Sequence, residues 1–285
     1  MTGTRRIWLV VNSASGSNDR EALAGLERCC TSAGFTINRV ISFPDQPLPT
    51  GESLDAAGIA LAAVFAGDGT VNALVAELAG WGGAVLVLPG GTMNLLYHRL
   101  HADRSMEEVI RLAAGSEVTR TRPCVIRCDA GTALADLLAG PGTTWHEVRE
   151  AMREADLVAV AANAAQAIGA TLAAPGVACL EPEIAGRQEY PLIMLTPTAG
   201  GIKLSGFRAG TAGEYLKESL AVLQRRFREG PHDDLGVADR VALASSDGKP
   251  LSLLIDGEPA DSPTETVFRL VPCGVDLLAS EADGR

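Results

Sequence analysis

The stretch from Leu61 to Asn94 constrains the fold more than any other part of this sequence. It contains two short apolar runs, Leu61 to Phe65 and Ala84 to Leu88, and a glycine-rich turn follows each run. Between them lies a helical pattern in which apolar residues recur at spacings of three and four: Val71, Leu74, Val75 and Leu78. Buried parallel strands joined by a crossover helix have this pattern. The stretch therefore predicts a strand–turn–helix–strand–turn unit within a parallel sheet.

The two turns predict a ligand site. They read Ala66-Gly67-Asp68-Gly69-Thr70 and Pro89-Gly90-Gly91-Thr92-Met93-Asn94. Open α/β sheets bind ligands at the carboxyl ends of their strands, where glycines admit a phosphate and a helix N-terminus favours negative charge. Asp68 is a carboxylate in a loop that otherwise suits an anion, which indicates a cation ligand or a proton acceptor. The alternative is that Asp68 and Thr70 merely cap the helix.

Two further segments contain chemically useful side chains. Near the start of the chain, an apolar strand from Ile7 to Val11 leads into the turn Asn12-Ser13-Ala14-Ser15-Gly16. Near the end stands Asp256-Gly257-Glu258. In an extended strand both carboxylates would point to one face, where mutual repulsion raises one pKa and makes a plausible general base. The alternative is that the segment is simply a hairpin turn.

These four segments carry a family resemblance. Gly67-Asp68-Gly69-Thr70 resembles the GGDGT motif of the diacylglycerol kinase catalytic domain. The other three segments resemble that family's N-P-x-S-G, P-x-G-T-x-N and D-G-E motifs, and all four occur in the family's order. The family includes bacterial lipid kinases and sphingosine kinases, with NAD kinases and phosphofructokinases as more distant relatives.

The resemblance implies a fold and a domain organisation. It implies an α/β N-terminal domain with a Rossmann-like, NAD kinase-like parallel sheet, followed by a β-rich, sandwich-like C-terminal domain. The final strand is expected to return to the first domain. The expected divisions are residues 1–120 for the nucleotide-binding domain, residues 121–270 for the substrate domain, and residues 271–285 for the returning segment.

The resemblance also implies an activity: ATP-dependent transfer of the γ-phosphoryl group to a lipid hydroxyl, of a diacylglycerol-like or sphingoid acceptor, with Mg²⁺. Glu258 is expected to be the catalytic base with Asp256 beside it, and Asp68 is expected to act in catalysis and to hold the metal. The residues expected to bind the nucleotide are Asn12, Ser15, Gly16, Ser42, Gly67, Asp68, Gly69, Thr70, Asn72, Gly91, Thr92 and Asn94.

Some positions depart from the family pattern and keep other functions open. Ala66 replaces the first glycine of GGDGT, and Ala73 and Leu95 stand where many relatives carry carboxylates. A recognisable N-D-G metal-binding segment is missing from the second half. The alternatives are a nucleotide-binding protein of the same fold without lipid kinase activity, or a kinase for a soluble metabolite.

Charge and cysteine content bear on partners and compartment. The formal net charge of −11 disfavours nucleic acid as a partner. A lipid substrate implies a transient membrane-surface contact, and a homodimer is a possible assembly. The six cysteines form no C-x-x-C pair and indicate reduced thiols, so a cytoplasmic protein is expected, peripheral at the inner membrane face if it meets a bilayer.

The second half predicts strands with two helices between them. Thr119 to Cys128 and Thr132 to Leu138 are predicted strands of a hairpin. Ala155 to Ala173 is predicted to be a buried helix rather than a membrane span, because its composition is mostly alanine with polar residues inside. Glu214 to Glu229 is predicted to be an amphipathic helix.

Overall fold

The structure is a computed structural model that describes residues 5–12, 20–91, 93–141, 176–183, 189–207 and 232–281. The chain divides into two compact units. The first comprises Met1–Pro123 together with Pro272–Arg285, and the second comprises Cys124–Val271. The sequence prediction placed the corresponding divisions at residues 120 and 270.

The elements are as follows in chain order. The first unit begins with β1 (Arg5–Asn12), α1 (Arg20–Ala33), β2 (Phe35–Phe43), α2 (Gly51–Ala56), β3 (Leu61–Ala66), α3 (Asp68–Glu77), β4 (Ala84–Pro89), α4 (Leu95–His101), α5 (Met106–Gly115) and β5 (Thr119–Thr121). The second unit contains β6 (Cys124–Cys128), β7 (Gly131–Ala133), β8 (Leu137–Pro141), β9 (Val177–Glu181), β10 (Glu189–Tyr190), β11 (Leu192–Thr198), β12 (Gly201–Phe207), β13 (Asp233–Ala238), β14 (Arg240–Ser245), β15 (Leu251–Ile255), β16 (Glu258–Ser262) and β17 (Glu265–Pro272). The last strand, β18 (Asp276–Ala279), belongs to the first unit.

The first unit contains the expected parallel sheet. Its strand order is β2-β1-β3-β4-β18-β5, and the pairs from β2 to β18 are all parallel. β5 closes the edge by pairing antiparallel with β18. The last strand of the chain is thus inserted between β4 and β5.

The apolar runs of the sequence form the centre of this sheet. Every residue from Ala62 to Phe65 and from Ala84 to Leu88 is buried, as expected for strands covered on both faces. The helical pattern between them becomes α3, which buries Val71, Leu74 and Val75. Among the described residues, no helix is both long and apolar enough to cross a membrane.

The second unit consists of two six-stranded sheets. One has the order β10-β9-β14-β17-β6-β7 and the other β13-β12-β11-β8-β15-β16, and the pairs recorded within each are antiparallel. Side chains from both sheets share one apolar core, which includes Ile126, Leu137, Leu195, Leu253 and Phe268. Two antiparallel sheets around a common core form a sandwich-like layer pair.

Two predicted strands are each interrupted. The run from Thr119 to Cys128 forms β5 and β6, separated at Arg122-Pro123, because proline has no N–H to donate to a sheet. The run from Thr132 to Leu138 forms β7 and the start of β8, separated at residues 134–136. The hairpin predicted around Asp129 is present, with Cys128 paired to Gly131. The helices predicted at Ala155 to Ala173 and Glu214 to Glu229 lie outside the described residues.

Candidate active site

The polar side chains of the first unit gather where its parallel strands end. Asn12 is the last residue of β1, and its side-chain amide donates to the hydroxyl of Thr70 at 3.2 Å. Ser42 lies next to the end of β2, and its backbone N–H donates to the side chain of Gln46 at 3.0 Å. β1 pairs with both β2 and β3, so these residues and the glycine turn after β3 share one edge of the sheet.

The two glycine turns pack directly against each other. A side-chain Cβ built on Gly91 would lie less than 3.0 Å from the backbone of Gly67. One built on Gly90 would lie less than 3.0 Å from the backbone of Ala66. These two glycines are therefore required by the close approach of two main chains. From the sequence, the glycines are interpreted as making room for a phosphate. The structure adds a second reason for them, which is the close packing of the two turns.

Asn94 holds the second turn in shape. Its side-chain oxygen accepts from the N–H of Gly91 at 2.8 Å, and its side-chain amide donates to the carbonyl of Gly91 at 2.9 Å. Its backbone is left-handed, with φ of 51°, a conformation that asparagine tolerates better than most residues. Asn94 is expected from the family motif to contact the nucleotide, and in this structure its amide closes the turn.

Asp68 joins the first turn to the start of α4. Its Oδ1 accepts from the N–H of Leu96 at 3.2 Å. Burial raises the pKa of the Asp68 carboxyl above its ordinary value, and hydrogen bonds from the N–H groups of Leu95, Leu96 and Asp68 itself oppose that shift. Burying a carboxylate is unfavourable unless function or compensation requires it. The carboxylate is therefore a good candidate for a functional group.

The N-cap residue of α3 is Gly67, which has extended backbone and no side chain to cap the helix. The side chain of Asp68 bonds to α4, and the hydroxyl of Thr70 accepts from Asn12. The Asp68 carboxylate also accepts from its own N–H at the start of α3, so the alternative of a capping role stays a prediction. The other N–H groups at a helix start suit an anion.

The remaining candidates of the first unit divide into two groups. Gly69 and Asn72 lie in the first two turns of α3, directly after Asp68. Ser15, Gly16 and Thr92 lie outside the described residues, so their expected roles stay predictions. Among the residues that the structure describes, no group of three or more histidine, cysteine, aspartate or glutamate side chains could hold a metal ion. A Mg²⁺ ion here would rely on Asp68 and on ligand phosphates, an arrangement that Mg²⁺ commonly adopts.

In the second unit, the structure corrects the expected geometry of Asp256 and Glu258. Ile255 pairs with Glu258, so Asp256 and Gly257 are the two central residues of a hairpin turn between β15 and β16. Their φ values are 49° and 86°, as in a type I′ turn. The two carboxylates therefore do not point to one face of an extended strand. Asp256 is buried, whereas Glu258 is half-buried at the start of β16.

The comparison with known families identifies the first part of the chain. Residues 6–126 match the model of the diacylglycerol kinase catalytic domain. The match identifies residues 6–126 as a diacylglycerol kinase catalytic domain. The protein is therefore a kinase, as the family resemblance implied. No protein of curated function matches the chain in sequence.

Solved structures share the fold of this chain over nearly its whole length. A diacylglycerol kinase from Bacillus anthracis str. Sterne matches with a TM-score of 0.61 and 16% identity, covering 98% of each chain. Two proteins provisionally named as diacylglycerol kinases from the same strain match with TM-scores of 0.62 and 0.60, also at 16% identity. The first of these covers 98% of each chain, and the second covers 97% of this chain and 98% of the other. At this identity the likeness shows the fold.

Two residues that lie near the hairpin between β15 and β16 were not identified from the sequence. Asp136 precedes β8, and its Oδ1 accepts from the hydroxyl of Thr196 on β11 at 2.8 Å. The N–H of Asp136 donates to the carboxylate of Asp256 at 3.1 Å. In the sequence, each is a polar residue within an apolar, strand-like run. This pattern is too common to identify a functional residue.

Proposed function

We propose that this kinase is an ATP-dependent lipid kinase that transfers the γ-phosphoryl group to the hydroxyl of a diacylglycerol-like or sphingoid lipid. The observation that carries the proposal is the N-terminus of α3, with glycine at its N-cap, beside the half-buried Asp68 carboxylate, within a diacylglycerol kinase catalytic domain. Phosphoryl transfer needs phosphate positioning and charge neutralisation more than covalent chemistry. Backbone N–H groups would position the phosphates, and the carboxylate would hold the Mg²⁺ ion that neutralises their charge.

The nucleotide would bind at the carboxyl edge of the parallel sheet. The N–H groups of Gly67 and Gly69 at the start of α3 would bind phosphate oxygens, since the helix dipole favours negative charge there. The residues expected at the sides of the nucleotide are Asn12, Ser15, Gly16, Ser42, Thr70, Asn72, Gly91, Thr92 and Asn94. Asp68 would hold Mg²⁺, which supplies neutralisation of the phosphate charge when bound.

The acceptor hydroxyl would lose its proton to Glu258. This carboxylate is half-buried and begins β16 immediately after the hairpin turn. A general base at this step contributes about 10²- to 10⁴-fold to the rate. The acceptor is a lipid in this proposal because the structural neighbours carry the name diacylglycerol kinase. Such a protein would meet the inner face of the cytoplasmic membrane transiently, with its acidic surface keeping the contact weak.

The test is transfer of label from γ-labelled ATP, with Mg²⁺, to a total-lipid extract in detergent. A labelled lipid is expected with the wild type, and Asp68→Ala and Glu258→Gln should each abolish it. Glu77→Gln, at the exposed end of α3, and Glu265→Gln, an exposed residue at the start of β17, are the matched controls and should keep full transfer. Transfer that survives in both Asp68→Ala and Glu258→Gln would contradict the assigned roles.

A kinase for a soluble metabolite is the second candidate. The net charge of −11 favours it. In the same assay this function predicts that ATP binds, that no lipid is labelled, and that label appears in a soluble metabolite extract. The lipid label therefore separates the two candidates.

A further inference from the structure

The hairpin between β15 and β16 places its two carboxylates in different environments. Glu258 begins β16 and is paired with Ile255, whereas Asp256 is a central residue of the turn. Asp256 is only 4% exposed. A substrate hydroxyl can reach a half-buried glutamate at a strand end, but it cannot reach a carboxylate enclosed by protein atoms. The two residues are therefore suited to different tasks.

The Asp256 carboxylate binds three successive backbone N–H groups. Its Oδ2 accepts from Leu134 at 2.7 Å, and its Oδ1 accepts from Ala135 at 2.8 Å and from Asp136 at 3.1 Å. Charge-assisted hydrogen bonds of this kind are roughly twice as strong as neutral ones. They compensate a buried carboxylate that would otherwise be strongly unfavourable. They also occupy the oxygens that would have to accept a proton.

The three N–H groups lie in the segment between β7 and β8, where the sequence predicts one continuous strand. Thr132 to Leu138 has the pattern of one strand, yet β7 and β8 lie in different sheets and residues 134–136 connect them. The N–H groups that a partner strand would have used are bound by Asp256 instead. The carboxylate thus fixes the break in the strand and the hairpin turn to each other.

Asp136 and Thr196 extend this attachment across the sheet. The carbonyl of Asp136 accepts from the N–H of Asp256 at 3.0 Å, so main-chain bonds run in both directions between the two aspartates. The Asp136 side chain is itself held by the Thr196 hydroxyl at 2.8 Å. The three residues stand one position beyond the paired row Leu195–Leu137–Ile255. Side chains and main chain of three neighbouring strands therefore brace the hairpin.

We propose that Asp256 is a positioning residue for Glu258 and takes no part in proton transfer, and that Asp136 and Thr196 brace it. This inference rests on the proposed function, in which Glu258 is the base. Asp256 and Glu258 are separated by one glycine, so the anchored turn fixes where β16 and the glutamate begin. A misplacement of about 1 Å in a catalytic group can lower a rate by about 10²-fold.

The first test compares the kinetics of Asp256→Asn and Glu258→Gln. An asparagine offers one acceptor oxygen where three donors converge, so Asp256→Asn should lower kcat about 10- to 100-fold and leave the KM for ATP nearly unchanged. The acidic limb of its pH–rate profile should persist, because the base is still present. Glu258→Gln should abolish the activity. Asp261→Asn, on the exposed part of β16, is the control that should change nothing. Loss of the acidic limb in Asp256→Asn would overturn the proposal.

A matched pair at Thr196 tests the brace. Thr196→Val removes the hydroxyl that donates to Asp136 while keeping the side-chain shape, and Thr196→Ser keeps the hydroxyl. We expect Thr196→Val to lower kcat about threefold to tenfold, the effect of one hydrogen bond, and Thr196→Ser to behave as the wild type. Equal activity of the two variants would contradict the role of the hydroxyl.

Amide hydrogen exchange gives a readout that does not depend on any activity. Asp256→Asn should lose protection at residues 134–136 at least tenfold relative to the wild type, and Glu258→Gln should not. If no substrate is phosphorylated but this loss occurs, the proposed function fails while the attachment stands. If exchange at residues 134–136 is unchanged in Asp256→Asn, the inference is wrong whatever the activity.

Discussion

Acidification should destabilise the first unit through one buried histidine. His101 ends α4 and is fully buried, with its Nδ1 3.0 Å from the hydroxyl of Ser280. Its Nε2 has no hydrogen-bond partner within the described part of the chain. Burial, with a smaller contribution from the Arg104 cation, lowers the pKa of His101 to about 4. The imidazole is therefore neutral in the folded protein at neutral pH.

The direction and size of the effect follow from linkage. In the unfolded chain the histidine has a pKa of about 6.5, so between about pH 6.5 and pH 4 the unfolded state binds a proton that the folded state does not. The free energy of unfolding therefore falls as the pH falls through this window. The loss from this residue amounts to about 2 kcal/mol at pH 5 and approaches about 3 kcal/mol at lower pH. That is a large part of a typical stability of about 5–15 kcal/mol.

Urea unfolding, followed by tryptophan fluorescence, measures this pH-dependent loss in the free energy of unfolding. Trp8 and Trp81 both lie in the first unit, so the signal reports largely on that unit. Wild type, His101→Gln and Ser280→Ala are compared at pH 7.5, 6.0 and 5.0. Between pH 7.5 and pH 5.0 the wild type should lose about 2 kcal/mol more than His101→Gln. Ser280→Ala should keep the wild-type slope, because the ring stays buried. Identical slopes for wild type and His101→Gln would refute the burial argument.

Three further predictions concern the glycine turns and their surroundings. Gly91→Ala should weaken ATP binding more than about tenfold in calorimetry and lower the free energy of unfolding by about 1–3 kcal/mol in urea, because its Cβ would clash with the first glycine turn. The control is Gly82→Ala, whose Cβ would meet open space and which should change neither quantity. Asp68→Asn should abolish transfer yet be at least as stable as the wild type at pH 7. Since the folded-state pKa of Asp68 is raised, the wild type should gain stability over this variant as the pH falls towards 3.8, and a constant difference would contradict this. Trp81→Phe removes the 2.9 Å hydrogen bond to Asp55 and should cost about 1–3 kcal/mol in urea unfolding followed by circular dichroism, whereas an unchanged midpoint would show that water replaces the bond.

The sequence was most informative where one local pattern decides the structure. Short apolar runs between glycine turns specify buried strands, and β3 and β4 formed where Leu61 to Phe65 and Ala84 to Leu88 predicted them. At the start of α5, the hydroxyl of Ser105 likewise caps the helix by accepting from the N–H of Glu108, three residues further on. In such segments the neighbours that determine conformation are close in sequence.

Sequence reasoning failed where the deciding partner is distant in the chain. The aspartate–glycine pair at residues 256 and 257 is a strong hairpin signal, yet whether it bends or continues depends on the strands beside it. The donors that hold Asp256 lie about 120 residues earlier, within a segment whose own alternation predicts an unbroken strand. Asp68 is a second example. Its carboxylate binds the start of α4, which follows the second glycine turn, about 28 residues further along the chain.

The place of β18 in the first unit has a consequence for synthesis on the ribosome. Residues 122–275 separate β5 from β18, and about 150 residues take about 8–30 s to translate at about 5–20 residues per second. Throughout that interval β4, an entirely apolar strand, has one strand neighbour instead of two, and β5 has none. An exposed apolar strand edge recruits other chains. The yield of this kinase in a cell should therefore depend on translation speed and chaperone supply more than on the stability of the finished protein.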